Sequence, residues 1–370
     1  MKEIKTILEL VRQKKSSREK FAIAQVVNVE GSSYRREGAR MIVFESGIFE
    51  GGISGGCLEG DTLKRSQLAI LKQEPSLVTY DTSKENEIGI GLGCNGVIDV
   101  LMTPLNDNSN TLDILNKCLS DRKSHVVVTV TSVNAENDLL KLGKNFYYNT
   151  DKDELEDVPG SEFKNFLIDR IQEVLVNNKS NKYLFRATES DLEVGMFVEI
   201  IPAQFHLAIF GDNYDVYPMI ELARVLDWEI SLVGNMQKLK KEKIQAVTNI
   251  YHKDFSERPK LDNRTAVILM AHDFKSDKSN LTSALNSEAP YIASLGPKKR
   301  FVKMLGKFEE DGKALSENDL DRIFAPSGLE IGANTPEEIA LSIFSEILGV
   351  FSGKTGGSLK DKDGPIHDRT

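Results

Sequence analysis

The chain has 370 residues, 40% of them hydrophobic and 28% charged, and its 47 Lys and Arg against 56 Asp and Glu leave a net charge of −9. This balance suits a globular protein of two domains and argues against nucleic acid or an anionic membrane as the main partner. No apolar run reaches the roughly 18 residues of a membrane span, and three cysteines without a signal-peptide pattern fit a reduced, cytoplasmic setting rather than a disulfide scaffold.

The first seventeen residues predict an amphipathic helix, with Ile4, Ile7, Leu8 and Val11 on one face. Strands follow at 21–29 and, as a hairpin about the turn ESG, at 39–54. A helix is expected over 58–73, then a strand at 76–82, a glycine-rich loop, and strands at 96–105 and 125–133. After a charged connector come a helix over 162–178 and strands at KYLFRAT and MFVEIIPA, which end near Pro202. This half reads as a mixed α+β domain, residues 1–203. No internal repeat is visible in the sequence.

From Phe205 the rhythm changes. Apolar runs HLAIFG (206–211), EISLVG (229–234), RTAVILMAH (264–272) and YIASLG (291–296) alternate with helix patterns. That alternation indicates parallel βαβ units, so residues 204–353 are expected to form a Rossmann-like, doubly wound sheet. The last helix is marked most fully: Thr335 as N-cap, Pro336 at the first position, Glu338 closing a capping box and Gly353 at the end. Residues 354–370 are rich in glycine and charge and read as a mobile tail.

Two stretches place a cysteine among glycines: GGISGGCLEG (51–60) around Cys57, and EIGIGLGCNGVIDV (87–100) around Cys94. Glycines let backbone N–H groups approach a ligand, and a helix N-terminus favours an anion or a thiolate. Each stretch also reads as a strand-end turn with a small inert cysteine; two in one domain suggest a shared site. Cys118 lies at helical spacing with Leu112 and Leu115 and reads as core. The chain has no CxxC and no paired Cys/His spacing, which argues against zinc. The loop GSSYRREGARM (31–41) groups Arg35, Arg36 and Arg40 with hydroxyls, a composition suited to phosphate as well as to a solvated loop.

A dinucleotide fingerprint would begin after the first strand of the second domain. Gly211 fits its first glycine, but Asn213 and Val216 stand at the next two, and Gly234 stands where an acid would hold ribose hydroxyls. These departures argue against NAD(P). His272 and Asp273, at the end of a predicted parallel strand, fall where ligands bind in such sheets; a structural pair capping the next helix is the other reading.

Taken together these residues resemble the XdhC/CoxI family, accessory proteins of molybdenum hydroxylases such as xanthine dehydrogenase. The resemblance rests on GSSYRREGARM, GGISGGCLEG and GLGCNGVIDVL in the first domain. In the second it rests on HLAIFGDN, MAHDFKSD, YIASLGPKKR, APSGLEIGANTPEEIALSIFSEIL and the tail GGSLKDKDGPIH. It implies a protein that binds the molybdenum cofactor, supports its sulfuration and delivers it to the apo-hydroxylase, with that hydroxylase and a cysteine desulfurase as partners. It carries over to Cys57 and Cys94, as molybdenum ligands or sulfur carriers. The family pattern often has a fuller fingerprint and a Ser where Pro297 stands here. The candidate ligand set is thus Arg35, Arg36, Arg40, Gly55, Gly56, Cys57, Gly93 and Cys94, with Gly211, His272 and Asp273 in the second domain. An NAD(P)-dependent oxidoreductase with a cysteine in its site, and a scaffold with inert cysteines, are the competing readings. A homodimer is compatible with the sequence and not required by it.

Overall fold

The computed structural model describes residues 1–14, 18–56, 58–81, 96–106, 109–135 and 139–363. They form two compact units, Met1–Ala203 and Gln204–Thr370. Among them no helix is long and apolar enough to cross a membrane.

The first unit contains α1 (Lys2–Lys14), β1 (Phe21–Gly31), β2 (Arg40–Phe44), β3 (Phe49–Gly51), α2 (Glu59–Lys72), β4 (Ser76–Asp81) and β5 (Gly96–Leu105). After α3 (Thr111–Lys117) come β6 (His125–Val133), β7 (Asn145–Asn149), β8 (Glu154–Leu155), α4 (Ser161–Asn177), β9 (Asn181–Arg186) and β10 (Glu193–Ile201). Two antiparallel sheets result, ordered β3-β2-β1-β5-β4 and β8-β7-β6-β10-β9. Each is three strands, a helix and two strands joined in the same order, so the fold is duplicated where the sequence shows no repeat. The correspondence reaches single hydrogen bonds. Gly38 N donates to Val26 O at 2.8 Å and Gly143 N to Val130 O at 2.9 Å. Both glycines have positive φ and press on the other sheet: a Cβ would come 2.6 Å from Glu199 Oε1 at Gly38 and 2.9 Å from Thr103 Oγ1 at Gly143.

The strand β7 lies inside what the sequence presents as a charged connector. Its Phe146 and Tyr148 are buried in the core under α4, on the period of two that a half-buried strand requires. The helix α2 covers the first sheet through Leu63 and Ala69, with Leu58 just before it buried in the same core. Between the sheets lie Val27, Leu101 and Phe197, and beside them α1 and α3, with Ile7, Leu8, Leu115 and Cys118 buried. Cys118 is core, as its spacing predicts.

The second unit contains β11 (His206–Phe210), α5 (Val216–Val225), β12 (Glu229–Gly234), β13 (Asn249–His252), β14 (Thr265–Leu269), α6 (Phe274–Leu285), β15 (Tyr291–Ser294), α7 (Lys298–Glu310), α8 (Glu317–Asp321), β16 (Ile323–Phe324) and α9 (Pro336–Ser352). The expected Rossmann-like sheet is present. Its strands are all parallel, in the order β13-β12-β11-β14-β15-β16. Along β11 the side chains alternate: Leu207 and Ile209 pack under α5 and α9, Ala208 and Phe210 under α6 and α7. The four apolar runs are the four central strands. The short edge strands β13 and β16, only partly buried, carry no such run. The cap of α9 forms as its residues dictate, Thr335 N donating to Glu338 Oε2 at 3.0 Å and Glu338 N to Thr335 Oγ1 at 3.3 Å. Gly353 takes the left-handed conformation at its end, and Lys354 N then donates to Gly349 O.

Candidate functional sites

The register of the first sheet brings three sequence motifs to one end of it. β1 ends with Gly31 opposite Gly96, β3 ends with Gly51 opposite Met41, and β4 ends with Asp81 opposite Val97. The arginine loop, the loop 52–58 and the two ends of the segment 82–95 therefore share this edge. Tyr80 ties β4 to the start of α2, its hydroxyl donating to Asp61 Oδ2 at 2.8 Å. Cys57, Gly93 and Cys94 themselves lie outside the described residues.

The loop before Cys57 is organised by Glu59. Its Oε1 accepts from Ser54 N at 2.8 Å and Ile53 N at 3.2 Å, and its Oε2 accepts from Ser54 Oγ at 2.5 Å. Leu58 N donates to Ser54 Oγ at 3.1 Å. The N–H groups of Ile53, Ser54 and Leu58 are therefore committed within the loop, leaving the exposed Gly55 and Gly56 as its open backbone. Burial works to raise the Glu59 carboxyl, but the donors from Ser54 and Ile53 outweigh it and hold it below the usual range.

The three arginines have different fates. Arg40 is buried and its guanidinium faces Glu199 on β10, Nη1 lying 2.8 Å from Oε1 and Nη2 bonding Oε2. Burial of Arg40 opposes its charge, and the Glu199 carboxylate more than restores it. This arginine belongs to the interior and is not available to a ligand at the loop. Arg35 is held by Glu3 of α1, Nη2 to Oε1 at 3.0 Å. No ion pair joins half-buried Arg36 to another described residue. Two neighbours in the same loop stand beside them. Tyr34 is 72% exposed and its ring lies over Gly55, 3.3 Å from where a Cβ would stand. The Ser33 hydroxyl is buried without a hydrogen-bond partner among the described residues.

In the parallel sheet, the strand order reverses between β11 and β14, and both lead into loops at their carboxyl ends, the position where such sheets form a crevice. Gly211 is packed against β14, where a Cβ would come 2.6 Å from Met270 O. His272 adopts φ +55°, and its Nε2 lies 2.6 Å from Asp215 Oδ2 across the crevice. Asp273 caps α6, accepting from Ser276 N at 2.7 Å, which lowers its carboxyl. So His272 faces the crevice and Asp273 serves the helix. Asp277 is buried, accepting from Ala271 N at 3.1 Å and from Arg300 Nη2 at 2.6 Å; burial raises it despite these donors. Asp215 and Asp212 are absent from any sequence signal, because they occupy the unconstrained positions of a fingerprint. Among the described residues no group of three or more His, Cys, Asp or Glu is placed to hold a metal ion.

Comparison with known proteins accords with both halves. Residues 207–347 match the model of the XdhC Rossmann domain, and residues 15–81 that of the XdhC and CoxI family. The chain is 26% identical over 340 residues to a probable xanthine dehydrogenase subunit of Bacillus subtilis (strain 168), covering 89% of this chain and 93% of that one. An uncharacterized protein of Escherichia coli (strain K12), YqeB, is 23% identical over 175 residues, 46% of this chain and 32% of that protein. The crystal structure of a protein from Bacillus halodurans described as a xanthine dehydrogenase superposes with a TM-score of 0.72 at 26% identity, covering 96% of this chain and 98% of that one. With its antiparallel first unit, its Rossmann second unit and these matches, the chain belongs to the XdhC and CoxI family.

Proposed function

We propose that this protein is an accessory factor of a xanthine dehydrogenase-type molybdenum hydroxylase, which binds the molybdenum cofactor, supports its sulfuration and delivers it to the apo-enzyme. The single observation that carries this reading is that the arginine loop, the residues flanking Cys57 and the strand ends flanking the segment with Cys94 meet at one end of the first sheet. The residues there suit a planar, anionic ligand. Arg36 offers a guanidinium with no ion pair among the described residues for a phosphate, the exposed Tyr34 ring a face for a flat heterocycle, and Gly56 a backbone open to close approach. When bound, the cofactor would supply a molybdenum centre with sulfur ligands, for which the thiolates of Cys57 and Cys94 are chemically matched soft partners. The relatives named for xanthine dehydrogenase support the choice of client. A cysteine desulfurase as sulfur source and a homodimer as the working form belong to the same proposal.

The test is to purify the protein from cells with an intact cofactor pathway and assay bound pterin by fluorescence and molybdenum by mass spectrometry. Both are expected with the wild type, with a large loss on Cys57→Ala and on Arg36→Ala. Wild-type protein free of both, from cells whose hydroxylase is active, overturns the proposal. The rival reading as an NAD(P)-dependent oxidoreductase finds less support, because the fingerprint positions hold Asn213, Val216 and Gly234.

A further inference from the structure

The second unit has the strand order of a dinucleotide-binding fold, yet its crevice is built differently. In such folds the diphosphate lies over the turn after the first strand, against the N-terminus of the following helix, where backbone N–H groups and the helix dipole receive negative charge. We propose that in this protein the chain's own carboxylate takes that position: Asp215 stands at the N-terminus of α5, His272 locks it there, and the crevice is thereby closed to dinucleotides.

Asp215 is the residue preceding α5, but its side chain makes no capping bond to the helix. It turns to His272 instead, Oδ2 to Nε2 at 2.6 Å, with the carboxylate 17% and the imidazole 46% exposed. Asp215 Oδ1 is buried with no partner among the described residues. The unmet need of the site is therefore a hydrogen-bond donor, which a phosphate oxygen cannot supply. His272 is held in a left-handed conformation that is costly for a residue other than glycine and persists only where the surroundings impose it. The bracing is visible on both sides. Met270 N donates to Phe210 O, Ala271 N to Asp277 Oδ1, and Asp273 anchors the start of α6.

The rest of the crevice acts in the same sense. Asp212 adds a second carboxylate to the turn, accepting from Asn235 N at 3.0 Å and from Lys238 Nζ at 2.9 Å. Lys238 is thus already engaged. At Gly234, where an acid would hold ribose hydroxyls, a Cβ would come 2.8 Å from both Asp212 Cβ and Gly211 O. No side chain fits there while Asp212 holds its place. A dinucleotide would meet the Asp215 carboxylate at its diphosphate and no acid at its ribose, so the fold keeps its shape and refuses the ligand. This inference is independent of cofactor binding by the first unit, and its failure would leave that proposal untouched.

The test measures binding of ADP and NAD to the full chain by calorimetry. Wild type is expected to bind neither at millimolar concentration. Asp215→Asn keeps an acceptor for His272 and removes the charge, and Asp215→Ser supplies a neutral capping hydroxyl. Each folded variant, verified by circular dichroism and thermal unfolding, is expected to gain at least about ten-fold in ADP affinity from the relief of like-charge repulsion. Micromolar binding of ADP or NAD by the wild type overturns the inference, and so does an unchanged ADP affinity in both folded variants.

Discussion

Arg40, at the start of the second strand of the first sheet, meets Glu199, on the last strand of the second sheet, through two hydrogen bonds in the interior of the first unit. Gln25 Nε2 adds a third donor to Glu199 at 3.0 Å. Both side chains are 6% exposed. Removing one partner of such a pair strands a buried charge, which typically costs about 3–5 kcal/mol. Arg40→Ala is expected to lose stability on that scale in urea unfolding of the first unit, while Arg36→Ala loses less than about 0.5 kcal/mol. Loss of equal size in both variants would contradict the division of labour among the arginines.

Glu59 ties the glycine loop to α2, and its lowered carboxyl pKa makes a pH-dependent contribution. The folded value lies below the unfolded one, so this stability is present above the ordinary carboxylate range and is lost as pH falls through the folded value. Glu59→Gln is expected to cost about 1 kcal/mol at neutral pH, discounted for partial exposure. The gap between variant and wild type should close as the medium is acidified below the carboxylate range. A gap that stays constant in urea titrations at neutral and acid pH would show that the carboxylate charge is not what the loop uses.

Cys118 is a thiol that the fold protects. Burial, then the Glu199 carboxylate, push it up to about 12. In a Cys57→Ser, Cys94→Ser background, native protein at mildly alkaline pH should not react with a thiol reagent, and denaturant should release one equivalent. The neutral thiol contributes stability below its unfolded value, near 9, which is lost as pH rises from there towards about 12. Prompt labelling of the native protein would place this cysteine nearer the surface than its burial allows.

Restoring the missing ribose acid should fail. Gly234→Asp puts a Cβ within 2.8 Å of both Asp212 Cβ and Gly211 O, so the turn after β11 must move. Overpacking of this kind costs about 1–3 kcal/mol. The expected result is a lower melting temperature with no NAD binding by calorimetry. Tight NAD binding by this variant would mean that the glycine alone had barred the ligand.

The cap of α9 offers a simpler check. Thr335→Ala removes the acceptor for Glu338 N and should lower stability by about 1 kcal/mol in thermal or urea unfolding, with no effect on ligand binding.

By itself the sequence determined what short-range physics controls. The alternation of four apolar runs with helix patterns requires a parallel, doubly wound sheet; Thr335, Glu338 and Gly353 specify the ends of α9 through bonds to residues three or four places away, and Pro336 through its fixed φ at the first position. The glycine–cysteine loops and the arginine loop stood out because their compositions serve no periodic element. Tertiary structure alone decided the rest. Arg40 and Glu199 are 159 residues apart, so nothing local distinguishes the arginine that goes inside from Arg36, which does not. The duplicated sheets share topology and backbone bonds, while the side chains that fill them differ, as Gly38 against Glu199 and Gly143 against Thr103 illustrate. Asp215 and His272 meet only because β11 and β14 are neighbours in the sheet, and a positive φ then turns His272 across the crevice. Local bonds can be read along a chain; the commitment of a charged side chain depends on which distant backbone the fold brings beside it.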